Sequence, residues 1–592
     1  MKKALCVLLA SALTLTGSFA TFAEGFTAGT YVGKGQGNNG EVSVSVTFDE
    51  EKIVDVQVTE HSETAGVSDP AIEQIPGQIV EEQSLSVDMV AGASNTSKAI
   101  LEAVADAVAQ AGGDVEALLA KAEEETQKAE AEEETDVLVI GGGMAGLTAA
   151  LQAVQDGAKV TLLEKNAMTG GTLAIAGGYL ISCDAELFDD DEVADSLDDF
   201  RAAWEAHMAY SGAESGYPDW ERWESVVGDT GKTVDWLYES GIHFAEEPFV
   251  GFDGGAYPTA LHVEGGAGLA TELADMLKEK GVDVRTSTKG YELLTDENGA
   301  VVGAMAETAD SIITFHAKAV ILATGGISLN DELVAEYSPK IAKAGVVSWA
   351  ASGSTGDGLV MAKAVGADVF DNFFSALWDA KVAPAVSGAI DASALTAAAQ
   401  LGVNGLGKRF AAEASATAPF FVDGLASDMI QDGNAPFFMI YDCANADVAA
   451  VLEQGASAGV ICKADTIEEL AGQMGVDAAA LQETFDAYNA MCEAGEDTEF
   501  GKAAENLVAL TAAPFYAVEW TPTTFGSTGG VKTDEEQRVL NAEGNAIAGL
   551  YAAGEMSNRY FYNENYMLGG SLGLYATCGR RAGAAAVADL GM

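Results

Sequence analysis

The sequence has few basic residues, few histidines and few cysteines. Its 592 residues include 30 Lys and Arg against 91 Asp and Glu, which gives a formal net charge of −61 at pH 7. Because so acidic a chain repels polyanions, nucleic acid and anionic membrane surfaces are poor partners. The 5 histidines show no metal-ligand spacing, so no metal site is expected; they are His61, His207, His243, His262 and His316.

Cysteine usage excludes further classes of protein. One of the 6 cysteines, Cys6, lies in the N-terminal leader, and the others form no close pairs and are odd in number, so no disulfide framework is expected. No Cys-x-x-Cys-His motif occurs, which excludes covalent c-type haem. After the leader, no apolar run approaches the roughly 20 residues that a membrane span needs.

Residues 1–23 have the pattern of a secretory signal peptide. Lys2 and Lys3 precede an apolar run from Ala4 to Leu15, and small residues follow up to Ala23. A membrane anchor or a buried helix is the alternative, which the shortness of the run disfavours. We therefore expect an exported protein, located outside the cell, on its surface or in a periplasm.

The most informative stretch is residues 135–150, TDVLVIGGGMAGLTAA, in which an apolar run meets glycines and then a helical pattern. Gly141, Gly143 and Gly146 have the spacing of a dinucleotide fingerprint, which combines a tight turn, close approach of a pyrophosphate and a helix N-terminus. Residues 159–165 predict the next strand, and Glu164 stands 18 residues after Gly146, where an acid binds ribose. A glycine turn without a nucleotide is the alternative, which the completeness of this unit disfavours.

The length predicts two to four domains, and residues 25–113 form the first candidate. Alternating apolar residues predict strands at 41–48 and 53–58, and a helix is predicted over 96–111. Residues 88–97, DMVAGASNTS, precede this helix. They resemble the flavinylation motif of FMN-binding domains in bacterial respiratory flavoproteins, in which a flavin transferase joins FMN to the hydroxyl residue after Gly-Ala.

This resemblance implies covalent FMN at Ser94 and maturation by a flavin transferase. The small residues before Ser94 leave its hydroxyl accessible, and Asp88 could help to place a metal-bound FMN donor. The alternative is that Ser94 or Thr96 caps the helix. The preceding strands and the dinucleotide fingerprint that follows favour FMN.

From residue 134 onward the chain resembles the FAD-binding subunit family of fumarate reductase, soluble flavocytochrome c, urocanate reductase and the ketosteroid dehydrogenases. Besides the fingerprint, the motifs that carry the resemblance are GGTLAIAGG (170–178), AVILATGG (319–326), TGDG (355–358), GLYAAGE (549–555) and GGSLG (569–573). The resemblance implies that FAD is bound by Gly141, Gly143, Gly146, Glu164, Gly170, Gly171, Thr172, Gly177, Gly178, Gly325, Asp357, Glu555, Ser571 and Leu572.

The expected fold class is α/β. A Rossmann-like FAD domain in two parts, 134–370 and 523–592, carries an inserted α+β capping domain at 371–522 that closes over the substrate and excludes water. A small α+β FMN-binding domain at 25–113 precedes it. Residues 114–133, rich in Ala, Glu and Lys, are expected to form an acidic, solvated helical linker that lets the FMN module swing toward FAD.

The substrate site departs from that of the family's fumarate reductases. The positions of the family's proton-transferring and carboxylate-binding charged residues carry uncharged residues in this sequence: Ser393, Thr396, Thr417, Trp378, Gly526 and Met567. A buried carboxylate without partners costs several kcal/mol. A dicarboxylate substrate is therefore not expected, and urocanate is disfavoured for the same reason.

A polar and aromatic run, RYFYNENY at 559–566, lies just before Met567. It resembles the ketosteroid dehydrogenase branch, in which tyrosine hydroxyls polarise a ketone and transfer protons beside the flavin. A neutral enone, or an aromatic acid held by Arg559, would suit this run together with Phe373, Phe374 and Trp378. The alternative is that the tyrosines pack the interface with the cap. The expected catalytic residues are Tyr566, Tyr562, Tyr560 and Arg559.

The expected function is that of an exported flavin-dependent reductase. Electrons from an external donor enter through FMN, pass to FAD and leave as a hydride to the C=C bond of an enone or aryl acrylate, while Tyr566 or Tyr562 protonates the α-carbon or binds the activating carbonyl. Three alternatives stay open: a urocanate- or fumarate-type reductase, a 3-ketosteroid dehydrogenase running in the oxidative direction, and a two-flavin electron carrier without substrate chemistry.

Overall fold

The computed structural model describes residues 25–37, 40–63, 68–87, 89–90, 93–119, 128–188, 196–209, 216–250, 257–391, 393–396, 400–413, 425–444, 446–563, 566–567 and 569–592. The chain divides into two compact units, one up to residue 125 and one from residue 126 onward. Within the described ranges, no helix is long and apolar enough to span a bilayer. The predicted leader at 1–23, Asp88 and Thr417 lie outside the described residues.

The first unit is an antiparallel sheet of three strands with helices packed on it. In chain order its elements are β1 (Gly29–Gln36), β2 (Glu41–Phe48), β3 (Ile53–Glu60), α1 (Asp69–Glu82), α2 (Ser94–Gln110) and α3 (Val115–Leu119), and the strand order is β1-β2-β3. Val42, Val44 and Val46 are fully buried, as the period of two predicts. A Cβ at Gly33 would lie 1.9 Å from the carbonyl oxygen of Ala103, so glycine allows α2 to lie directly on β1.

The second unit contains the remaining elements. Its strands are β4 (Ala129–Ile140), β5 (Val160–Leu163), β6 (Tyr179–Ile181), β7 (Thr259–Leu261), β8 (Asp283–Arg285), β9 (Lys289–Thr295), β10 (Val301–Glu307), β11 (Ser311–Leu322), β12 (Val347–Ser348), β13 (Phe374–Val382), β14 (Leu401–Val403), β15 (Phe437–Asp442), β16 (Cys462–Ala464), β17 (Phe515–Thr528), β18 (Arg538–Leu540) and β19 (Ala546–Ala552).

The helices of the second unit are α4 (Met144–Gln155), α5 (Leu197–Ala209), α6 (Trp220–Val227), α7 (Thr230–Ser240), α8 (Gly265–Glu279), α9 (Asp331–Tyr337), α10 (Pro339–Ala344), α11 (Asp357–Ala364), α12 (Pro384–Ser387), α13 (Ser393–Thr396), α14 (Leu425–Asp432), α15 (Ala446–Ser457), α16 (Ile467–Met474), α17 (Ala478–Ala494) and α18 (Ser571–Asp589). Short 3₁₀ helices include Gly171–Ile175, Gly554–Ser557 and Arg559–Phe561.

The main sheet has the strand order β18-β19-β11-β4-β5-β8, in which β19, β11, β4, β5 and β8 run parallel. β10 pairs with β11 and β9 on an antiparallel branch. Helices α4, α8 and α18 contribute to the apolar core on one face, and α11 and the branch contribute to the core on the other. The parallel sheet with both faces covered confirms the predicted α/β, Rossmann-like class.

The strand β4 begins inside the segment for which a helical linker is expected. Residues 129–134 form the first half of this strand and pair in parallel with residues 311–316 of β11. The helical expectation is therefore wrong for residues 129–133. Composition suggested helix, but the neighbouring strand supplies backbone hydrogen-bond partners that composition does not reveal.

The inserted part forms a second sheet, of order β12-β17-β15-β14, with β13 and β16 also paired to β17. β12 lies before residue 371 and β17 runs to Thr528, so this sheet extends beyond the expected limits of 371–522 on both sides. A buried ion cluster ties the cap together: Arg409 donates to Glu413 at 2.8 Å and to Asp497 at 2.7 and 2.9 Å, with all three side chains at most 2% exposed.

Candidate active site

A cavity of about 430 Å³ lies at the carboxyl ends of the parallel strands. Ile140, Leu163, Ala323 and Ala553, which end or directly follow β4, β5, β11 and β19, all line it. Open α/β sheets bind ligands at this edge, because loops that follow neighbouring parallel strands meet there. The predicted site and the observed cavity therefore coincide in the fold.

The fingerprint glycines shape one end of the cavity. Gly141 has φ of +110°, and a Cβ there would lie 2.2 Å from the oxygen of Ala323. Gly143 is the N-cap of α4 and lines the cavity, and a Cβ on it would meet no described atom closer than 3.8 Å. The open space above a helix N-terminus fits a pyrophosphate. Gly146 does not line this cavity; a Cβ there would lie 1.8 Å from the oxygen of Gly141, so glycine allows α4 to contact Gly141.

Glu164 directly follows β5 and lines the same end of the cavity. Its Oε2 accepts a hydrogen bond from the backbone N–H of Gly142 at 2.9 Å, and its Oε1 accepts one from Asn166 at 2.8 Å. Burial raises the pKa of Glu164, and these N–H donors oppose the rise. Each carboxylate oxygen keeps acceptor capacity, so the geometry fits a ribose hydroxyl.

The second glycine-rich loop forms another wall. Gly170, Gly171, Thr172 and Gly177 line the cavity. Gly178 does not; a Cβ there would lie 2.6 Å from the backbone of Gly265, so this glycine supports the start of α8. The predicted contacts of the first four residues stay predictions, whereas Gly178 has a packing role.

Asp357 lines the cavity together with two lysines that sequence analysis did not single out. Lys165 Nζ donates to Asp357 at 2.5 Å, and Lys289 Nζ lies 3.5 Å from the same carboxylate. Burial alone would raise the pKa of Asp357, but the hydrogen bond and charge of Lys165 hold it below its usual range. Lys165 could have been found by its position beside Glu164; Lys289 has no local signal.

Glu555 and Gly325 line the middle of the cavity wall. Oε1 of Glu555 accepts from the N–H of Ser527 at 2.8 Å. Burial raises the pKa of Glu555 to about 7, in spite of the N–H groups of Ser527 and Gly326. A Cβ on Gly526 would lie 2.1 Å from the same oxygen, so glycine at 526 and the position of this carboxylate depend on each other.

The far end of the cavity carries hydroxyl groups at the start of α18. Tyr566, Ser571 and Leu572 line it, and the hydroxyl of Tyr566 is in hydrogen-bond contact with that of Ser571. Tyr575, four residues after Ser571, also lines it and accepts a hydrogen bond from Asn558 at 2.8 Å. Sequence analysis missed Tyr575, although its i, i+4 spacing from Ser571 on a helix could have revealed it.

Burial raises the pKa of Tyr566 to about 12, and the Ser571 hydroxyl opposes the rise. Tyr566 therefore stays protonated throughout the neutral range. A protonated phenol in a cavity can donate a hydrogen bond to a carbonyl or a proton to a carbon that gains negative charge.

The other predicted catalytic residues do not line the cavity. Tyr562 is fully buried and packs on Trp204 with ring centroids 5.8 Å apart; its hydroxyl lies near Ser571 but forms no hydrogen bond of normal geometry with a described residue. Tyr560 donates to the carbonyl of Thr533 and accepts from its N–H, both at 2.9 Å. These two tyrosines therefore pack within the expected FAD domain, on Trp204 and Thr533, and not at the interface with the cap that the alternative named.

Arg559 is also turned away from the cavity. It is 3% exposed, donates to the carbonyl oxygens of Tyr562 and Asn563, and its guanidinium carbon lies 4.5 Å from the ring centroid of Tyr217. This placement argues against the expected role of Arg559 in holding an aromatic acid. Met567, at the position of a family arginine, is 1% exposed within the core. The side chains of Trp378, Phe374, Ser393 and Thr396 lie outside the described residues.

The cavity contains no arginine or histidine among the described residues that line it. His262 lies outside this lining: its Nδ1 accepts the N–H of Glu264 at 3.1 Å, and its Nε2 contacts Glu272 at 2.7 Å. No group of three His, Cys, Asp or Glu residues within the described part of the chain could hold a metal ion.

In the first unit, α2 begins at Ser94 and its N-cap is Ala93. The alternative that Ser94 or Thr96 is the helix cap is therefore wrong. The Thr96 hydroxyl donates to Glu63 at 2.6 Å and the Ser97 hydroxyl donates to the carbonyl of Ala93 at 3.0 Å. The side chain of Ser94 lies outside the described residues.

A parallel sheet, a glycine-lined cavity at its carboxyl edge, an acid after the second strand and an inserted cap together define a dinucleotide-binding oxidoreductase of the flavoprotein class. The chain belongs to the FAD binding domain family, whose model matches residues 136–572, and residues 37–109 match the FMN-binding domain. Its cofactors are therefore FAD and FMN, as predicted.

Similar proteins of known activity agree with this assignment. The chain is 32% identical over 95% of its length to NADH:acrylate oxidoreductase from Vibrio harveyi, of which it spans 61%. It is 30% identical over 90% of its length to urocanate reductase from Eggerthella lenta, of which it spans 88%. The prediction of a flavin-dependent oxidoreductase of the fumarate reductase-like family is confirmed.

Two solved structures have the same fold. The open conformation of a flavocytochrome c3 fumarate reductase is 27% identical, with a TM-score of 0.56 over 77% of this chain and 78% of that one. A 3-ketosteroid-Δ4-(5α)-dehydrogenase from Rhodococcus jostii RHA1, in complex with 4-androstene-3,17-dione, is 26% identical, with a TM-score of 0.56 over 78% of this chain and 99% of that one.

Proposed function

We propose that this protein is an exported reductase of the C=C bond in α,β-unsaturated compounds, with an enone or aryl acrylate as substrate and FMN as the point of electron entry. The observation that carries the proposal is the Tyr566 hydroxyl, which lies in the cavity beside Ser571 at the N-terminus of α18. FAD, when bound, supplies a hydride to the substrate β-carbon.

Tyr566 supplies the other half of the addition. Its phenol donates a hydrogen bond to the activating carbonyl or a proton to the α-carbon, and the high pKa keeps the proton in place until negative charge develops there. Ser571 orients this hydroxyl. The first backbone N–H groups of α18 favour negative charge that develops at the same end of the cavity.

The composition of the lining supports a substrate without a second carboxylate. A dicarboxylate would need cationic partners in a site that excludes water, and the described lining offers only Lys165 and Lys289, both engaged with Asp357. Both lysines lie near Glu164, at the dinucleotide end, and Tyr566 lies with α18 at the other. An enone or a monoacid fits this distribution of charge better than fumarate.

Electron entry rests on the first unit. We propose that FMN is attached covalently to Ser94, the first residue of α2. The neighbouring hydroxyl groups of Thr96 and Ser97 already form hydrogen bonds within the unit. When bound, this FMN would accept electrons from an external donor; a flavin transferase would attach it to Ser94. The leader-like residues 1–23 support export.

The test is anaerobic reoxidation of the reduced holoenzyme by 4-phenyl-3-buten-2-one, cinnamate, acrylate, urocanate and fumarate. Rapid reoxidation by the enone or cinnamate, with fumarate inert, is expected. Tyr566→Phe should lower kcat for the preferred substrate by about 100-fold or more, because general acids contribute at least this much. Tyr238→Phe is the matched control, since Tyr238 is 52% exposed and lines no part of the cavity.

The other candidate functions give different results in the same assay. A two-flavin carrier would leave every alkene unreduced. A 3-ketosteroid dehydrogenase would reduce an artificial oxidant when supplied with a saturated 3-ketosteroid. Fast turnover of fumarate would show that charged groups from outside the described lining complete a dicarboxylate site, and the proposal would be wrong.

A further inference from the structure

One aromatic ring of the cavity lining packs against a second ring behind it. Tyr179, the first residue of β6, lines the cavity, and its ring lies against that of Phe249 with centroids 4.8 Å apart and planes at 50°. Both residues are half-buried. From these contacts we infer that Tyr179 binds an aryl ring of the substrate and that Phe249 holds Tyr179 in the orientation for doing so.

The position of Tyr179 is fixed from two sides. A Cβ on Gly177 would lie 2.4 Å from Cε2 of Tyr179, so the ring folds back over the glycine loop and any larger residue at 177 would displace it. On the other side, Phe249 and Thr259 exchange backbone hydrogen bonds at 2.9 and 3.0 Å, and Thr259 in β7 pairs with Ile181. A rigid ring costs little entropy when it binds a ligand, which is the condition for a specific aromatic contact.

Tyr179 belongs to the same end of the cavity as Tyr566. Ile181, two residues after Tyr179, packs on the first turn of α18: a Cβ on Gly573 would lie 2.6 Å from the carbonyl oxygen of Ile181. Ser571, the contact of Tyr566, begins this same helix. Tyr179 and Tyr566 therefore line the same cavity and are both connected to the first turn of α18, whereas Gly143 and Glu164 lie at the carboxyl ends of β4 and β5.

Two apolar side chains also line the cavity. Ile175 lines the cavity and is 59% exposed, and Phe525 of β17 also lines it. A large apolar side chain exposed within a cavity gains free energy when a ligand covers it. The inference deepens the proposed function, because it names an aryl-substituted alkene as the substrate class of the same site.

The test compares ligands that differ only by phenyl and methyl. The substrates are 4-phenyl-3-buten-2-one and 3-penten-2-one, assayed with the reduced holoenzyme. Tyr179→Leu and Phe249→Ala should each lower kcat/KM for the phenyl ketone by about tenfold, the loss expected for an aromatic pair, and leave the methyl ketone within about twofold. Tyr179→Phe, which keeps the ring, should behave as wild type, and Tyr238→Leu is the control.

A binding measurement separates this inference from the proposed function. The oxidised holoenzyme is titrated with the saturated ketones 4-phenyl-2-butanone and 2-pentanone, and the flavin absorbance is followed. Wild type should bind the phenyl ketone more tightly, and Tyr179→Leu should remove that preference. If no alkene is reduced but the preference is present, the reductase proposal fails and the aryl site stands.

Three results would overturn the inference. Equal losses for the phenyl and methyl ligands would mean that Tyr179 shapes the site without recognising a ring. Unchanged values for both would place the aryl group elsewhere. Loss of bound FAD in Tyr179→Leu, measured as flavin released per protein, would assign this ring to the cofactor.

Discussion

The contact between Gly526 and Glu555 gives the sharpest test of the cofactor cavity. In Gly526→Ala the new Cβ would lie 2.1 Å from Oε1 and 2.9 Å from the carboxyl carbon of Glu555. Such contacts are not tolerated, so the carboxylate must retreat by about 1 Å. Its hydrogen bond from Ser527, at 2.8 Å, then breaks.

The magnitude follows from the environment of this carboxylate. A hydrogen bond to a charged group is worth about 1.5–3 kcal/mol. If Glu555 contacts FAD as we propose, the Kd for FAD should rise by about 10- to 100-fold. Gly526 has no positive φ, so the loss is steric and does not come from backbone strain.

The assay is titration of the apoprotein with FAD, followed by quenching of flavin fluorescence. Gly472→Ala is the matched control, because a Cβ at Gly472 meets no atom within 4 Å and its φ is not positive. The double variant with Glu555→Gln should bind FAD no more weakly than Glu555→Gln alone, since both changes act on one carboxyl group. Wild-type affinity in Gly526→Ala, or full additivity, would refute the reasoning.

Three other predictions follow from the same contacts. Burial raises the folded-state pKa of Glu555 from 4.5 to about 7. The contribution of Glu555 to apoprotein stability is therefore complete below pH 4.5 and is lost as the pH rises through 7, a loss of about 3 kcal/mol. Urea unfolding between pH 4.5 and 8 should show this loss in wild type but not in Glu555→Gln. Arg409→Met leaves Glu413 buried without its main partner and should lower the free energy of unfolding in urea by about 3–5 kcal/mol. An unchanged urea midpoint would contradict a structural role of Arg409. Ser94→Ala, coexpressed with a flavin transferase, should carry no covalent FMN by mass spectrometry after denaturation, while Ser86→Ala should carry it; a flavin adduct on Ser94→Ala would place the attachment elsewhere.

The sequence predicted those parts of the site that depend on local backbone geometry. The glycines at 141, 143 and 170 and the acid at 164 are visible because a turn, a helix N-terminus and a strand end each require particular residue types at fixed spacing. The tyrosines were harder to assign. Tyr560, Tyr562 and Tyr566 have the same chemistry and lie within seven residues, so the sequence does not indicate which of the three lines the cavity; in the structure it is Tyr566.

Residues brought in from distant parts of the chain left no such signal. Lys289 reaches Asp357 across 68 positions, and Phe249 reaches Tyr179 across 70. No periodicity connects these pairs, since they depend on how the sheets are connected. The acidic segment at 129–133 is a further case in which a distant contact decides the structure. Its composition favours a solvated helix, but β11 provides a partner strand.

Gly526 and Met567, two of the uncharged residues predicted for the substrate site, are both constrained by packing. At 526 a side chain would displace the Glu555 carboxylate, which lies where its Cβ would be, and at 567 the side chain lies in the core with 1% exposure. An arginine at 567 would have to bury its charge among apolar residues, at a cost of several kcal/mol. Restoring either family residue alone is therefore expected to damage the fold before it creates a carboxylate site. We therefore expect Gly526→His and Met567→Arg to lose FAD or stability without gaining fumarate reduction.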